Sequence, residues 1–260
     1  MVVSCTKSEL VDISSPSEAE GSAIDYNTSS IDSEDECIPD YNPNNYDSTG
    51  VMHNYNLDLI SETILNHYAS SSKSERWFAV DSLLQAGQSQ PYTLPLSQSD
   101  LDFSGEYYMT HDNLDSIWLE YSSNSYIGGR VNVLQDIVQL YDGSNVCYVI
   151  DEIKLFEEEE LILARSQTDI RQILEAASVA RFSLAYWDSN YSTYLEYPGP
   201  GQSSVSREVP WRKIIRIALA DAGGALAGSP LGTAGSIILG ATASWNEFEN
   251  QFPERPAPGP

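Results

Sequence analysis

The residues best suited to nucleophilic or metal chemistry in this 260-residue chain are three histidines, His53, His67 and His111, and three cysteines, Cys5, Cys37 and Cys147. No histidine stands beside a Ser or Cys in a catalytic frame. The chain carries no G-x-S-x-G, no H-E-x-x-H and no phosphate- or dinucleotide-binding glycine motif. Asp100, Asp102, Ser104 and Gly105 occupy positions one, three, five and six of a calcium loop, but His111 stands at position twelve, where a bidentate Glu belongs. We therefore read an ordinary Asx/Ser turn there and expect no metal and no cofactor. Glu157 to Glu160 suit the first turn of a helix, and as exposed carboxylates they are too numerous to be assigned acid and base roles. These residues disfavour an enzyme. An unrecognised hydrolase, with His67 or His111 meeting a nucleophile in space, is kept as an alternative.

The cysteines bear on location. Val2-Val3-Ser4-Cys5 matches the end of a bacterial lipobox, although no basic or apolar signal region stands ahead of it. With Cys5 lipidated, Cys37 and Cys147 become an even pair able to bridge in an oxidising compartment; Cys147, set between Val146 and Tyr148, also reads as a small buried hydrophobe. The formal net charge is −25, which repels phosphate backbones and excludes nucleic acid as a partner. High Ser and Tyr with little Lys points to an extracellular or cell-surface protein.

The most informative spacing lies near the C-terminus. Ala220, Gly224, Gly228, Gly232, Ser236, Gly240 and Ser244 recur at every fourth position, within or beside an uncharged run from Ala222 to Asn246. On a helix this makes a stripe with almost no side chain, where another backbone can approach closely. Trp211 and Trp245 bracket it, and Arg212, Lys213 and Arg216 form a basic cluster at one end, as interfacial anchors do. Asp221 opposes deep insertion in a bilayer. Membrane contact and packing of helix on helix are the two readings. The partners they imply are a membrane, a second copy, or an unidentified protein.

The segment "ADAGGALAGSPLGTAGSIILG" resembles the glycine-zipper segments of small bacteriocins and other bacterial membrane-active proteins. More loosely, "SVARFSLAYW" followed by "WRKIIRIALADAGGALAG" is similar to uncharacterised Bacteroidota-type surface proteins. The resemblance implies a bacterial surface or secreted protein with a membrane-active or self-associating C-terminal segment.

The elements that must position these residues read as all-α. Residues 1–52 are acidic, Ser-rich and without Phe or Trp, and are expected to be a disordered tether. A helical domain follows over 53–190. Within it Leu57, Ile60, Ile64, Leu65 and Tyr68 share a face. Ser74 caps a second helix that Gly87 stops, and Val131, Leu134, Ile137, Val138 and Tyr141 line another. "VCYVIDEIKLFEEEELIL" reads as a helix, a break and a new start, with a short strand pair near Cys147 as the minor reading. From Ser166 and Asp169, a capping box, runs a helix with Ile170, Ile173, Leu174, Ala177, Leu184 and Trp187 as its stripe. Residues 191–208 read as a loop, 209–249 as a helical hairpin with Pro210 in its first turn, and 250–260 as a disordered tail. Gly228 is expected to take the left-handed stop, Ser229 to cap the second helix and Pro230 to open it.

The sequence thus favours a non-enzymatic surface or secreted protein whose hairpin contacts membrane or associates with helices. The alternative is a soluble interaction domain with the hairpin as its core.

Overall fold

The computed structural model describes residues 38–39, 43–63, 72–87, 97–110, 126–163, 166–195 and 211–251. The chain divides into Met1–Glu36 and Cys37–Pro260, and every described residue belongs to the second unit. All regular elements among the described residues are helical: α1 (Asp47–Thr63), α2 (Lys73–Gly87), α3 (Gln98–Thr110), α4 (Ile127–Val138), α5 (Val146–Ile162), α6 (Gln167–Leu195), α7 (Trp211–Gly228), a 3-10 turn (Ser229–Leu231) and α8 (Thr233–Gln251). The all-α architecture expected from the sequence is the observed one.

Local chemistry accounts for the helix starts. Ser166 Oγ accepts the Asp169 N–H at 3.1 Å and opens α6. Ahead of α2 it is Ser72, not Ser74, that caps. The Ser72 N–H donates to Glu75 Oε2 at 2.8 Å, and the Glu75 N–H returns a bond to Ser72 Oγ at 3.4 Å. The stretch expected to break inside α5 is one uninterrupted helix, with no strand at Cys147.

Apolar stripes then order the packing. α7 and α8 form an antiparallel hairpin, α6 lies along α7, and α1 packs on both α6 and α8. α4 and α5 cover the other side of α6, while α3 reaches α8. Trp187 of α6 stacks on Phe248 of α8 with ring centroids 4.9 Å apart, and both are fully buried with Ile173, Leu174, Ala177 and Leu184. On α4, Val131, Leu134, Val138 and the following Tyr141 are buried as their spacing predicts, with Ile137 half-buried.

Three boundaries differ from the sequence reading. α1 begins at Asp47 rather than after residue 52, because Thr49, Gly50 and His53 are buried, Gly50 donating its N–H to Ser178 of α6. There Gly50 lies so close to Phe182 that a Cβ would meet its Cδ2 at 2.3 Å. α6 continues to Leu195, since Trp187 and Tyr191 are core residues that hold the Ser- and Asn-rich stretch after them in register. The hairpin turn also differs. Gly228 keeps right-handed helical angles (φ −78°), a 3-10 turn carries Pro230, and Gly232 takes a positive φ (93°) with extended ψ (−177°) before α8 starts at Thr233. α8 then runs on to Gln251. Ile64, Leu65, Tyr68, Pro210 and most of the expected tether and tail lie outside the described residues.

Gly224→Ala is a direct probe of the hairpin. Its Cβ would lie 2.4 Å from the Leu239 carbonyl oxygen, so the backbones must separate. We predict a loss of about 1–3 kcal/mol. Gly129→Ala, exposed on α4 with nothing within 4 Å of the new Cβ, should gain about 0.5 kcal/mol. Urea unfolding of the two variants measures the contrast, and effects of the same sign would refute the close contact.

Candidate functional site

The small-residue stripe does not remain one line in space. On α7 it faces α8, but the row it meets there is Gly235, Leu239 and Ala243. A Cβ at Gly224 would reach the Leu239 carbonyl oxygen at 2.4 Å and Ala243 Cβ at 2.7 Å. Gly228 and Gly235 face each other reciprocally, with added Cβ atoms 2.1 Å from the Gly235 oxygen and 2.4 Å from the Gly228 oxygen. Gly232 sits in the turn. Beyond it, Ser236, Gly240 and Ser244 also meet α6 and α1, while Gly240 stays beside α7, where an added Cβ would lie 3.2 Å from the Asp221 carbonyl oxygen. Ser236 Oγ donates to Glu175 Oε2 at 2.6 Å, and Trp187 Nε1 donates to Ser244 Oγ at 3.2 Å. Gly240 lies under His53, where a Cβ would be 2.9 Å from Cδ2. Gly235 is the contact the sequence reading missed. Ala220 is buried with its neighbours.

The flanking residues are engaged within the hairpin. Arg216 Nε donates to Glu247 Oε1 at 2.9 Å, and Lys213 Nζ donates to the Gln251 carbonyl at 2.6 Å at the end of α8. Arg212 remains on the surface over the Trp211 ring, 5.0 Å from its centroid. Trp211 is half-buried against the core. Trp245 is 1% exposed and donates to Glu249 Oε1 at 2.7 Å. Trp211 to Leu231 is long and apolar enough to cross a membrane, yet most of it is buried inside the domain.

Charged groups inside the bundle fix the hairpin and its neighbours. Asp221 is fully buried at the centre of α7, where it accepts a hydrogen bond from Ser183, and where the Ser244 and Trp187 side chains also favour its charged form. Burial pushes its carboxyl well above the ordinary range, outweighing those interactions. His53 Nε2 lies 3.7 Å from Asp221 Oδ2, while Nδ1 shares a hydrogen bond with Asn54 Oδ1 at 3.0 Å. Burial lowers the His53 pKa to about 4, so the ring is neutral at pH 7. In a hydrolase triad the imidazole stands between carboxylate and serine. Here the carboxyl stands between them, and all three groups are sealed in the core.

A second set joins α6 to α1 and α5. Arg181, fully buried, pairs with Asp47 and with Glu157 Oε2 at 3.3 Å. Asn44 Nδ2 adds a bond to Glu157 Oε1 at 3.0 Å. Burial, only partly offset by Arg181, raises the Glu157 carboxyl to about 7. At the hairpin turn Arg171 Nη2 donates to the Ser229 carbonyl at 2.9 Å, and Thr233 Oγ1 donates to Glu175 Oε1 at 2.7 Å. A lone charge inside an apolar stripe (Arg181, Asp221) was the sequence signal for these sets, but the partners come from distant helices.

Several sequence expectations are corrected. Asp100, Asp102 and Ser104 lie within α3, a continuous helix, so neither a calcium loop nor an Asx/Ser turn forms. Ser104 is buried while Asp102 is exposed, accepting from Gln98 at 2.9 Å. Glu157 and Glu160 are buried rather than solvated, because they fall on the inner face of α5 with Ile153 and Phe156. Cys147 is exposed and disulfide-bonded instead of a buried hydrophobe. Cys5, Cys37, His67 and His111 lie outside the described residues.

The raised Asp221 carboxyl has a measurable consequence. Folded, it keeps its proton; unfolded, it ionises above its ordinary pKa of 3.8, so stability is lost as pH rises past that value. Asp221→Asn removes this loss. Relative to the parent its stability should climb by about 1.4 kcal/mol per pH unit above pH 4, until the folded carboxyl titrates. Urea unfolding of both proteins at pH 4, 6 and 8 tests this, and parallel stability curves would contradict it.

The chain matches no protein-family model, no curated protein and no solved structure.

Proposed function

We propose that this chain is a non-enzymatic helical interaction domain of a bacterial secreted or surface protein, whose small-residue hairpin associates helices inside the fold. One observation carries this reading: the reciprocal approach of Gly228 and Gly235, which consumes the bare face of α7 within the domain. The basic cluster supports it too, since Lys213 and Arg216 bond to α8. The sealed Ser183–Asp221–His53 set supports a structural role over catalysis.

The disulfide at Cys147 supports an oxidising compartment. Of the three cysteines, a bond at Cys147 takes one of Cys5 and Cys37 and leaves the other. The Val2-Val3-Ser4-Cys5 sequence makes Cys5 the residue we propose for a lipid anchor.

Membrane contact by the hairpin is the second reading. It is favoured by the length and apolarity of Trp211 to Leu231, and by an Asp221 carboxyl whose burial favours the neutral form. Hydrogen exchange separates the two. As a core, residues 211–251 are protected as strongly as 167–195 in lipid-free buffer, and adding phosphatidylglycerol vesicles changes neither. Weak protection of 211–251 that rises with vesicles, together with a blue shift of Trp211 fluorescence, would replace the core reading with the membrane one.

A further inference from the structure

Cys147 is disulfide-bonded and stands exposed in the first turn of α5. The chain offers it two partners, Cys5 and Cys37. Cys37 opens the compact unit Cys37–Pro260 that also holds Cys147, whereas Cys5 belongs to Met1–Glu36. Ile38, the next residue after Cys37, is fastened to α5, where its carbonyl oxygen accepts from Lys154 Nζ at 2.9 Å. Lys154 follows Cys147 by seven residues, so the two share one line along the helix, about 10 Å apart in rise. Side chains on a helix lean toward its N-terminus, which brings the lysine stem back toward Cys147. Consecutive Cα atoms are about 3.8 Å apart, and a disulfide needs its Cα atoms about 4.4–6.8 Å apart, so a residue next to Ile38 is within reach.

We propose that Cys37 is the partner of Cys147, and that their bond latches the segment ahead of α1 onto α5. The latch secures polar groups that the core depends on. Asn44 Nδ2 donates to Glu157 Oε1 at 3.0 Å and to the Leu174 carbonyl at 3.1 Å, and Asp47 pairs with Arg181. Glu157 and Arg181 are fully buried, so a segment that drifted off would leave both short of partners. The loop closed by the bond contains α1 to α4, and closing so long a loop restricts the unfolded chain strongly. The bond forms by thiol–disulfide exchange. Two thiols give up two protons and two electrons to an oxidised dithiol catalyst, which leaves as the dithiol, and the exposure of Cys147 gives that catalyst access. Cys5 is left as the remaining thiol, the state that the proposed lipid anchor needs. The pairing goes beyond the hairpin and anchor readings and stands without either.

Trypsin places the three cysteines on separate peptides, Met1–Lys7, Ser8–Lys73 and Val131–Lys154. The full chain, purified under oxidising conditions, is alkylated in urea without reductant, digested and read by mass spectrometry. We expect Ser8–Lys73 joined to Val131–Lys154, with the alkyl group on Cys5. A link from Met1–Lys7 to Val131–Lys154, or alkylation of Cys147, overturns the pairing. The latch is read by hydrogen exchange on the folded protein. Reduction by a trialkylphosphine should speed exchange of the amides of 47–53 at least tenfold, while those of 167–195 change less than twofold. Cys37→Ser should reproduce this without reductant, and Cys5→Ser should leave exchange unchanged. Equal exchange of 47–53 in the oxidised and reduced protein overturns the latch. Loss of protection over 167–195 as well overturns it in favour of a bond that the whole fold requires. A chain without lipid on Cys5 that gives the same peptide map removes the anchor and leaves the pairing standing.

Discussion

Two helices of this domain touch backbone to backbone, and the rest of the fold is arranged around that contact. Wherever α7 crosses α8, a single added carbon at Gly224, Gly228 or Gly235 would fall within 2.1–2.4 Å of the opposite carbonyl oxygen. Helices at such separation lose the side chains that normally fill an interface and gain close carbonyl and Cα–H contacts instead. Glycine inside a helix costs roughly 1 kcal/mol relative to alanine, so this sequence accepts a weak pair of helices. Surrounding helices compensate by burying the pair almost completely, with α6, α1 and α3 each against one or both of its members.

Polar groups then give the buried pair a unique register. Apolar and glycine surfaces slide past one another with little penalty, whereas a buried hydrogen-bonded group has one satisfactory position. Asp221 ties α7 to Ser183 on α6, and Trp187 on α6 reaches Ser244 on α8. Glu175 holds the start of α8 through Thr233 and Ser236, and Arg171 holds the turn at Ser229. The Arg181–Glu157–Asp47 set does the same for α1, α5 and α6. Removing one member of such a buried pair leaves an uncompensated charge, which is far costlier than replacing the whole set by apolar residues.

Periodicity made the helices and most core residues legible: the stripes of α4 and α6, and the four-residue recurrence in α7. What it could not carry was the phase change at the hairpin turn. The 3-10 turn and the positive-φ Gly232 set α8 so that Gly235, Leu239 and Ala243 meet α7 most closely, while Ser236, Gly240 and Ser244 also reach α6 and α1. Tertiary burial overrode local preference elsewhere. Gly50 and the Ser/Asn-rich end of α6 read as turn or loop, yet both are helical because Phe182, Trp187 and Tyr191 need them in place. Asp100, Asp102 and Ser104 show the converse, a loop-like spacing on what is a plain helix.

The functional reading follows the same physics: a bare helix face already occupied inside the molecule is not available to a bilayer while the domain is folded. The most direct measurement is of proximity at the crossing itself. Protein labelled selectively with 13C-glycine, in lipid-free buffer, should show strong nuclear Overhauser contacts between the Hα protons of Gly228 and Gly235. Their absence, with both signals sharp and assigned, would contradict the hairpin as the core of this domain.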